Sequence, residues 1–136
     1  MADKGPFDAG TVLVRYIVDD VDAALGFYTG WLGFEVVMHP APAFAIVARG
    51  PLRLALSAPG GAAGGGQAMP DGRLPRPGGW NRVSLIVTDL DADVARLRGA
   101  GVPFRNEIVN GVGGRQILVD DPSGNPVELF EPARPV

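Results

Sequence analysis

The chain has 136 residues, 46% of them hydrophobic, enough for one compact domain with a core and too few for two independent ones. A net charge of −3 and a pI near 5.0 argue against nucleic acid and acidic membrane surfaces as partners, and leave small neutral or anionic molecules. The absence of cysteine excludes disulfides, thiolate catalysis and sulfur-ligated zinc.

The chain opens on a polar stretch, Met1-Ala2-Asp3-Lys4-Gly5-Pro6, with no apolar segment of signal-peptide or membrane-spanning length, which predicts a cytoplasmic protein. A strand is expected from Thr11 to Val18, then a helix capped by Asp20, with Val21, Ala24, Leu25, Tyr28 and Leu32 at helical spacing and Gly33 as its stop. Three more strands follow, near Phe34 to Met38, Phe44 to Ala48 and Leu52 to Ser57, so that the first unit reads βαβββ. His39 beside Pro40 reads as a loop residue.

From Ala58 to Gly79 the chain is rich in Gly, Pro and Ala, as expected of an irregular connector. The phrase Ile17-Val18-Asp19-Asp20-Val21-Asp22-Ala23 then recurs as Ile86-Val87-Thr88-Asp89-Leu90-Asp91-Ala92, the mark of a duplicated unit. Accordingly the second unit repeats the plan: a strand from Trp80 to Val87, a helix between Asp89 and Gly101, and strands near Pro103 to Val109, Arg115 to Val119 and Val127 to Glu131. Hairpin turns are expected at Asp121-Pro122-Ser123-Gly124-Asn125 and at Gly111-Val112-Gly113-Gly114.

Side chains leave a strand alternately on its two faces, which sorts these strands into two sets. Val12, Val14, Tyr16, Val18, Leu52, Leu54, Leu56, Val83, Leu85, Val87, Val127 and Leu129 form an apolar face suited to lie under the helices. The other face carries Leu13, Arg15, Ile17, Arg53, Ala55, Ser57, Trp80, Arg82, Ser84, Ile86, Glu128 and Phe130. That mixture suits either a partly desolvated ligand cavity or a face turned to water, and its apolar share favours the cavity.

The motifs Asp20-Val21-Asp22-Ala23-Ala24-Leu25-Gly26-Phe27-Tyr28, Leu32-Gly33-Phe34 and Asp121-Pro122-Ser123-Gly124-Asn125-Pro126-Val127-Glu128-Leu129, set in tandem βαβββ units, resemble the vicinal oxygen chelate superfamily of glyoxalases, bleomycin-resistance proteins and ring-cleaving dioxygenases. The resemblance runs from about Thr11 to Pro132 and implies an α+β fold of paired half-barrels lining a curved cleft, in a homodimer. It makes residues 1–136 a single domain of that superfamily, with unit one at 11–57, the linker at 58–79 and unit two at 80–132.

The resemblance also implies a divalent metal held by the first and last strands of each unit. Those positions here are Leu13, Ala55, Arg82 and Glu128, of which Glu128 alone is a ligand type, whereas such metals need about three or four protein ligands. No metal and no cofactor is therefore expected. Arg82 is expected to pair with Glu128 across neighbouring strands, with Arg15 and Arg53 as alternative partners of that carboxylate.

The function read from these residues is metal-independent binding of an aromatic or anionic small molecule, such as an antibiotic or secondary metabolite. Leu13, Arg15, Arg53, Trp80, Arg82, Ser84, Glu128 and Phe130 are the candidate contacts. The alternative is a metal-free isomerase, cyclase or lyase with Glu128 as its catalytic base. A metal-dependent glyoxalase or dioxygenase is disfavoured by Leu13, Ala55 and Arg82, and a scaffold with its cleft filled by its own side chains completes the set.

Overall fold

A computed structural model of the protein describes residues 5–61 and 64–134. The chain divides into two compact units, the first ending at Pro77 and the second beginning at Gly78.

In unit one, β1 (Val12–Ile17) leads into α1 (Val21–Trp31), followed by β2 (Glu35–Ala41), β3 (Phe44–Arg49) and β4 (Leu52–Ser57). Unit two repeats the order with β5 (Val83–Ile86), α2 (Leu90–Gly99), β6 (Val109–Asn110), β7 (Gly114–Asp120) and β8 (Pro126–Pro132). The expected α+β, tandem βαβββ arrangement is thus observed. Both helices start as their sequences dictate: Asp20 Oδ1 accepts from the Ala23 amide at 3.1 Å, and Asp89 Oδ1 from the Ala92 amide at 3.0 Å. Both are left through glycines in the left-handed region, Gly33 at φ 75° and Gly101 at φ 80°, where a side chain would be strained.

Each unit folds into one four-stranded sheet, ordered β1-β4-β3-β2 and β5-β8-β7-β6. The first and last strands of each unit are parallel neighbours, because the helix supplies the crossover such a pair requires. Register pairs Val14 with Leu54, Tyr16 with Leu56 and Leu85 with Leu129, and these form the helix-covered faces. It likewise pairs Arg15 with Ala55, Ile17 with Ser57, Ser84 with Glu128 and Ile86 with Phe130 on the helix-free faces.

Under α1 the packing is aromatic: Tyr28, with no exposed surface, meets Tyr16, Phe27 and Phe34 edge to face at ring separations of 6.5, 5.0 and 5.4 Å. Phe27 thus joins the buried face of α1, while Leu25, expected there, is half-buried. In unit two aliphatic residues take over, with Leu90, Leu97, Ile117 and Leu129 buried.

Three expectations need correction. The strand expected from Trp80 begins only at Val83; the Gly79 and Trp80 carbonyls accept from the Arg105 and Arg82 side chains instead of from a ladder. The strand expected from Pro103 to Val109 shrinks to Val109–Asn110 and an isolated Phe104–Val119 bridge, because the Asn106 side chain takes the Leu118 amide at 2.9 Å in place of a backbone carbonyl. His39 lies within β2, not in a loop; β2 is an edge strand whose register shifts between Met38 and Ala41, which accommodates Pro40.

The glycine-rich connector has structure of its own. Gly64–Gly66 form a 3-10 turn packed on β1 and β4, closed by the Gly60 amide on the Gly66 carbonyl at 2.6 Å. Ala62 and Ala63, also in this connector, lie outside the described residues.

Candidate functional site

In unit two the helix-free face is organised around Glu128. Arg82 brings Nη2 to 2.8 Å and Nε to 3.1 Å of Glu128 Oε1, and the Ser84 hydroxyl donates to Oε2 at 2.8 Å. The pairing of Arg82 with Glu128 is the one expected, in a modified form: both nitrogens converge on one oxygen, because Ser84 holds the other. Side-chain exposures of 30% for Arg82 and 13% for Glu128 make this a partly desolvated, charge-neutral group.

Trp80 stands beside it. The Arg82 Nη1 donates to the Trp80 carbonyl at 3.3 Å, and the Trp80 side chain belongs to a residue 68% exposed. Its ring is backed by Arg105, whose guanidinium carbon lies 4.6 Å from the ring centroid. Arg105 is itself held by Asp120 Oδ1 at 2.6 Å, the Gly79 carbonyl at 2.7 Å and the Gly124 carbonyl at 2.9 Å. The Gly78 amide adds a bond to Asn125 Oδ1 at 2.7 Å. An irregular segment thereby presents a large aromatic ring on a rigid base. Phe130 is half-buried on the same face of the sheet, paired in register with Ile86.

Arg105 was not among the expected site residues. Its grip on residues 79 and 124 depends on chain segments far apart in sequence, so neither motif nor spacing could have pointed to it.

Unit one treats the corresponding face differently. Leu13 is 44% exposed, whereas Ala55 and Ser57 are wholly buried. Arg53 is 2% exposed and spends its donors on backbone: Nε on the Gly5 carbonyl at 3.0 Å, and Nη1 on those of Gly50 and Leu52 at 2.8 and 3.1 Å. A buried guanidinium so engaged ties the turn before β4 to the start of the chain. Arg15 is exposed and donates from Nη1 to the Ser57 hydroxyl at 2.9 Å.

The four positions at which the superfamily resemblance implies metal ligands do not fit a divalent ion. Leu13 and Ala55 offer no lone pair, Arg82 is a cation, and both oxygens of Glu128 already accept from Arg82 and Ser84. Among the described residues no three His, Asp or Glu side chains are grouped as a metal would need.

Two surface hollows lie elsewhere in unit two. One, of about 570 Å³, sits at the start of α2 beside Asp91, Arg115 and Glu131; the other, of about 470 Å³, lies beside Arg98 and Phe104. Each mixes apolar residues with charged groups that already pair, as Arg115 does with Asp91 and Glu131 and Arg98 with Glu107. The chemistry of Trp80, Arg82, Ser84 and Glu128 is the stronger pointer to a ligand. No helix among the described residues is long and apolar enough to cross a membrane.

The family model described as Glyoxalase/Bleomycin resistance protein/Dioxygenase superfamily matches residues 11–129. No curated protein matches the chain. Among solved structures, a member of that superfamily from Sphaerobacter thermophilus DSM 20745 is 32% identical, with a TM-score of 0.71 over 91% of this chain and 98% of that one. TnmS3, an antibiotic binding protein from Streptomyces sp. CB03234, is 28% identical, with a TM-score of 0.69 over 93% of this chain and 98% of that one. A lactoylglutathione lyase from Agrobacterium tumefaciens, at 23% identity and a TM-score of 0.69 over 91% and 94% of the two chains, shares the fold.

Proposed function

This chain belongs to the glyoxalase/bleomycin resistance protein/dioxygenase superfamily, and from that premise we propose that it binds a small, planar aromatic molecule without a metal, in the manner of a sequestering protein. The observation that carries the reading is the closed group of Arg82, Ser84 and Glu128 beside the exposed ring of Trp80. At the positions where a metal enzyme needs donors, the chain has hydrocarbon, a cation and a single carboxylate engaged by Arg82 and Ser84. The likeness to TnmS3, an antibiotic binding protein, supports an antibiotic or secondary metabolite as ligand.

In this reading Trp80 is the stacking platform, backed by Arg105, and Phe130 adds apolar surface on the helix-free face of the sheet. Arg82 orients a carbonyl or phenolic oxygen with the hydrogens that Glu128 leaves over, and Ser84 and Glu128 fix its plane. Within unit one, taken by itself, Leu13 and Arg15 are the exposed side chains offered to a ligand, and Arg53 supports the backbone. Catalysis by Glu128 is the less supported reading, since the Arg82 guanidinium and the Ser84 hydroxyl both favour the ionised carboxylate and so make it a weaker base.

Thermal-shift screening against fused-ring aromatic natural products tests the proposal, because a ligand that binds the folded protein raises its melting temperature by mass action. Stabilisation that persists in the presence of a chelator and is lost in Trp80→Ala supports it. Stabilisation only after zinc, nickel, manganese or iron is added contradicts it.

A further inference from the structure

The two faces of the Trp80 ring meet different surroundings within unit two. Against one lies the Arg105 guanidinium, its carbon 4.6 Å from the ring centroid, while the residue as a whole is still 68% exposed. One face is thus covered by the chain itself, and the other is left for a ligand to stack on.

Arg105 is not free to swing away from the ring. Asp120 Oδ1 holds its Nε at 2.6 Å, and the Gly79 and Gly124 carbonyls hold Nη1 and Nη2 at 2.7 and 2.9 Å. Its side chain is only 17% exposed. The acceptors are fixed in turn by a tight turn, in which Asp121 Oδ1 accepts from the Ser123 and Asn125 amides at 2.9 Å each and the Gly124 amide donates to the Asp121 carbonyl. The motif Asp121-Pro122-Ser123-Gly124-Asn125 therefore ends, through Arg105, at the back of an aromatic ring.

A cation fixed behind an aromatic ring changes what the front will accept. The guanidinium draws π density toward the face it covers and leaves the opposite face less negative. A second cation stacked on that open face would stand about 8 Å from the first, within the screening length of physiological salt and with a ring between them in place of water. Asp120 balances the charge of Arg105 as felt at a distance, but the group in contact with the ring is the guanidinium.

We infer that Arg105 is a specificity-determining residue of the Trp80 platform: it makes the site favour electron-rich aromatic molecules, such as aryl ethers and phenols, and reject cationic heteroaromatics. The inference rests on the aromatic-binding reading above and adds to it a sign of charge. Arg105 acts through Trp80, so its signature is a change in selectivity.

Two probes of the same size read that selectivity: 6-methoxy-1-methylquinolinium, a permanent cation, and 6-methoxy-4-methylquinoline, which is neutral at mildly alkaline pH. Both are titrated by calorimetry, and the ratio of their affinities is compared among variants. Arg105→Gln is expected to lower the neutral-to-cation ratio about three- to tenfold, the worth of one cation–π contact. Asp120→Asn, which keeps an oxygen for Nε and removes the balancing charge, is expected to raise the ratio at least about twofold. Loosening of the Trp80 support would move both ratios the same way, so the opposite signs separate selectivity from packing. Arg115→Gln makes the same charge change at the start of α2 and is expected to leave the ratio as in the wild type.

A ratio unmoved by Arg105→Gln, or moved in one direction by both variants, overturns the charge assignment and leaves aromatic binding intact. Should Arg105→Gln fail to fold, Asp120→Asn decides alone, and an unchanged ratio there overturns the inference. An equal shift in Arg115→Gln assigns the effect to net charge and also overturns it. Binding of neither probe by the wild type overturns both readings.

Discussion

The two units share a motif, a strand order and a pair of helix caps, and yet they are held together by different forces. Unit one is stabilised by an aromatic cluster on Tyr28, and the helix-free side of β4 is buried. Unit two has an aliphatic core and a lattice of ion pairs: Arg82 with Glu128, Arg105 with Asp120, Arg115 with Asp91 and Glu131, and Arg98 with Glu107. A duplicated scaffold fixes which positions face which way, while the chemistry placed there is free to diverge. Where unit one has Leu13 and Ala55, unit two has Arg82 and Glu128, so the polar group of unit two has no counterpart in unit one.

The largest expected effect sharpens that contrast in the cores. Tyr28→Ala removes the hub of three edge-to-face contacts and should cost about 3–5 kcal/mol in denaturant unfolding. Leu97→Ala, at the repeat-equivalent position of α2, should cost about 2–4 kcal/mol, because a smaller side chain without ring partners is lost. A Leu97 variant as damaging as the Tyr28 variant would break the contrast.

Next comes the polar pair. Arg82→Leu leaves the Glu128 carboxylate partly buried with Ser84 as its remaining side-chain donor, and should lower stability by about 1–2 kcal/mol after allowing for solvent around the guanidinium. Adding Glu128→Leu to that variant should restore most of the loss, since a hydrophobic pair of similar size replaces the ion pair. If the double variant is less stable than Arg82→Leu alone, the pair stabilises the fold by more than mutual compensation.

The smallest effect lies at the start of α2. The Arg115 guanidinium, hydrogen-bonded to Asp91 at 2.9 Å, holds the Asp91 carboxyl below the usual aspartate range, and Asp91 in turn raises the Arg115 guanidinium. A carboxyl lowered in the folded state supplies stability above the ordinary aspartate pKa and loses it as pH falls through the lowered value. Carboxyl NMR should therefore show Asp91 titrating at lower pH than in Arg115→Gln; coincident titrations would mean the bond is absent in solution.

Much of this was legible in the sequence because it is local or periodic. The repeated phrase, the caps at Asp20 and Asp89, and the alternation of faces each depend on neighbouring residues, and alternation together with the neighbouring first and last strands that the resemblance implies put Arg82 among the expected partners of Glu128. What lay hidden depends on long-range approach. Composition marked the segment around Gly64–Gly66 as a loose connector, but the absence of side chains there lets it pack on Arg15. Arg53 looked like a ligand donor by its face alone, and its burial against three carbonyls arises from the turn before β4 and the start of the chain. Trp80 looked like a strand residue, but Arg105 holds it in an irregular segment.

Metal-free aromatic binding stands or falls on one titration. With Trp31→Phe leaving Trp80 as the sole indole, fluorescence is followed as anthracene-2-carboxylate is added, before and after treatment with a chelator. Saturable quenching with the same Kd in both samples is the expected result. Quenching that disappears on chelation and returns with a divalent transition metal would contradict it.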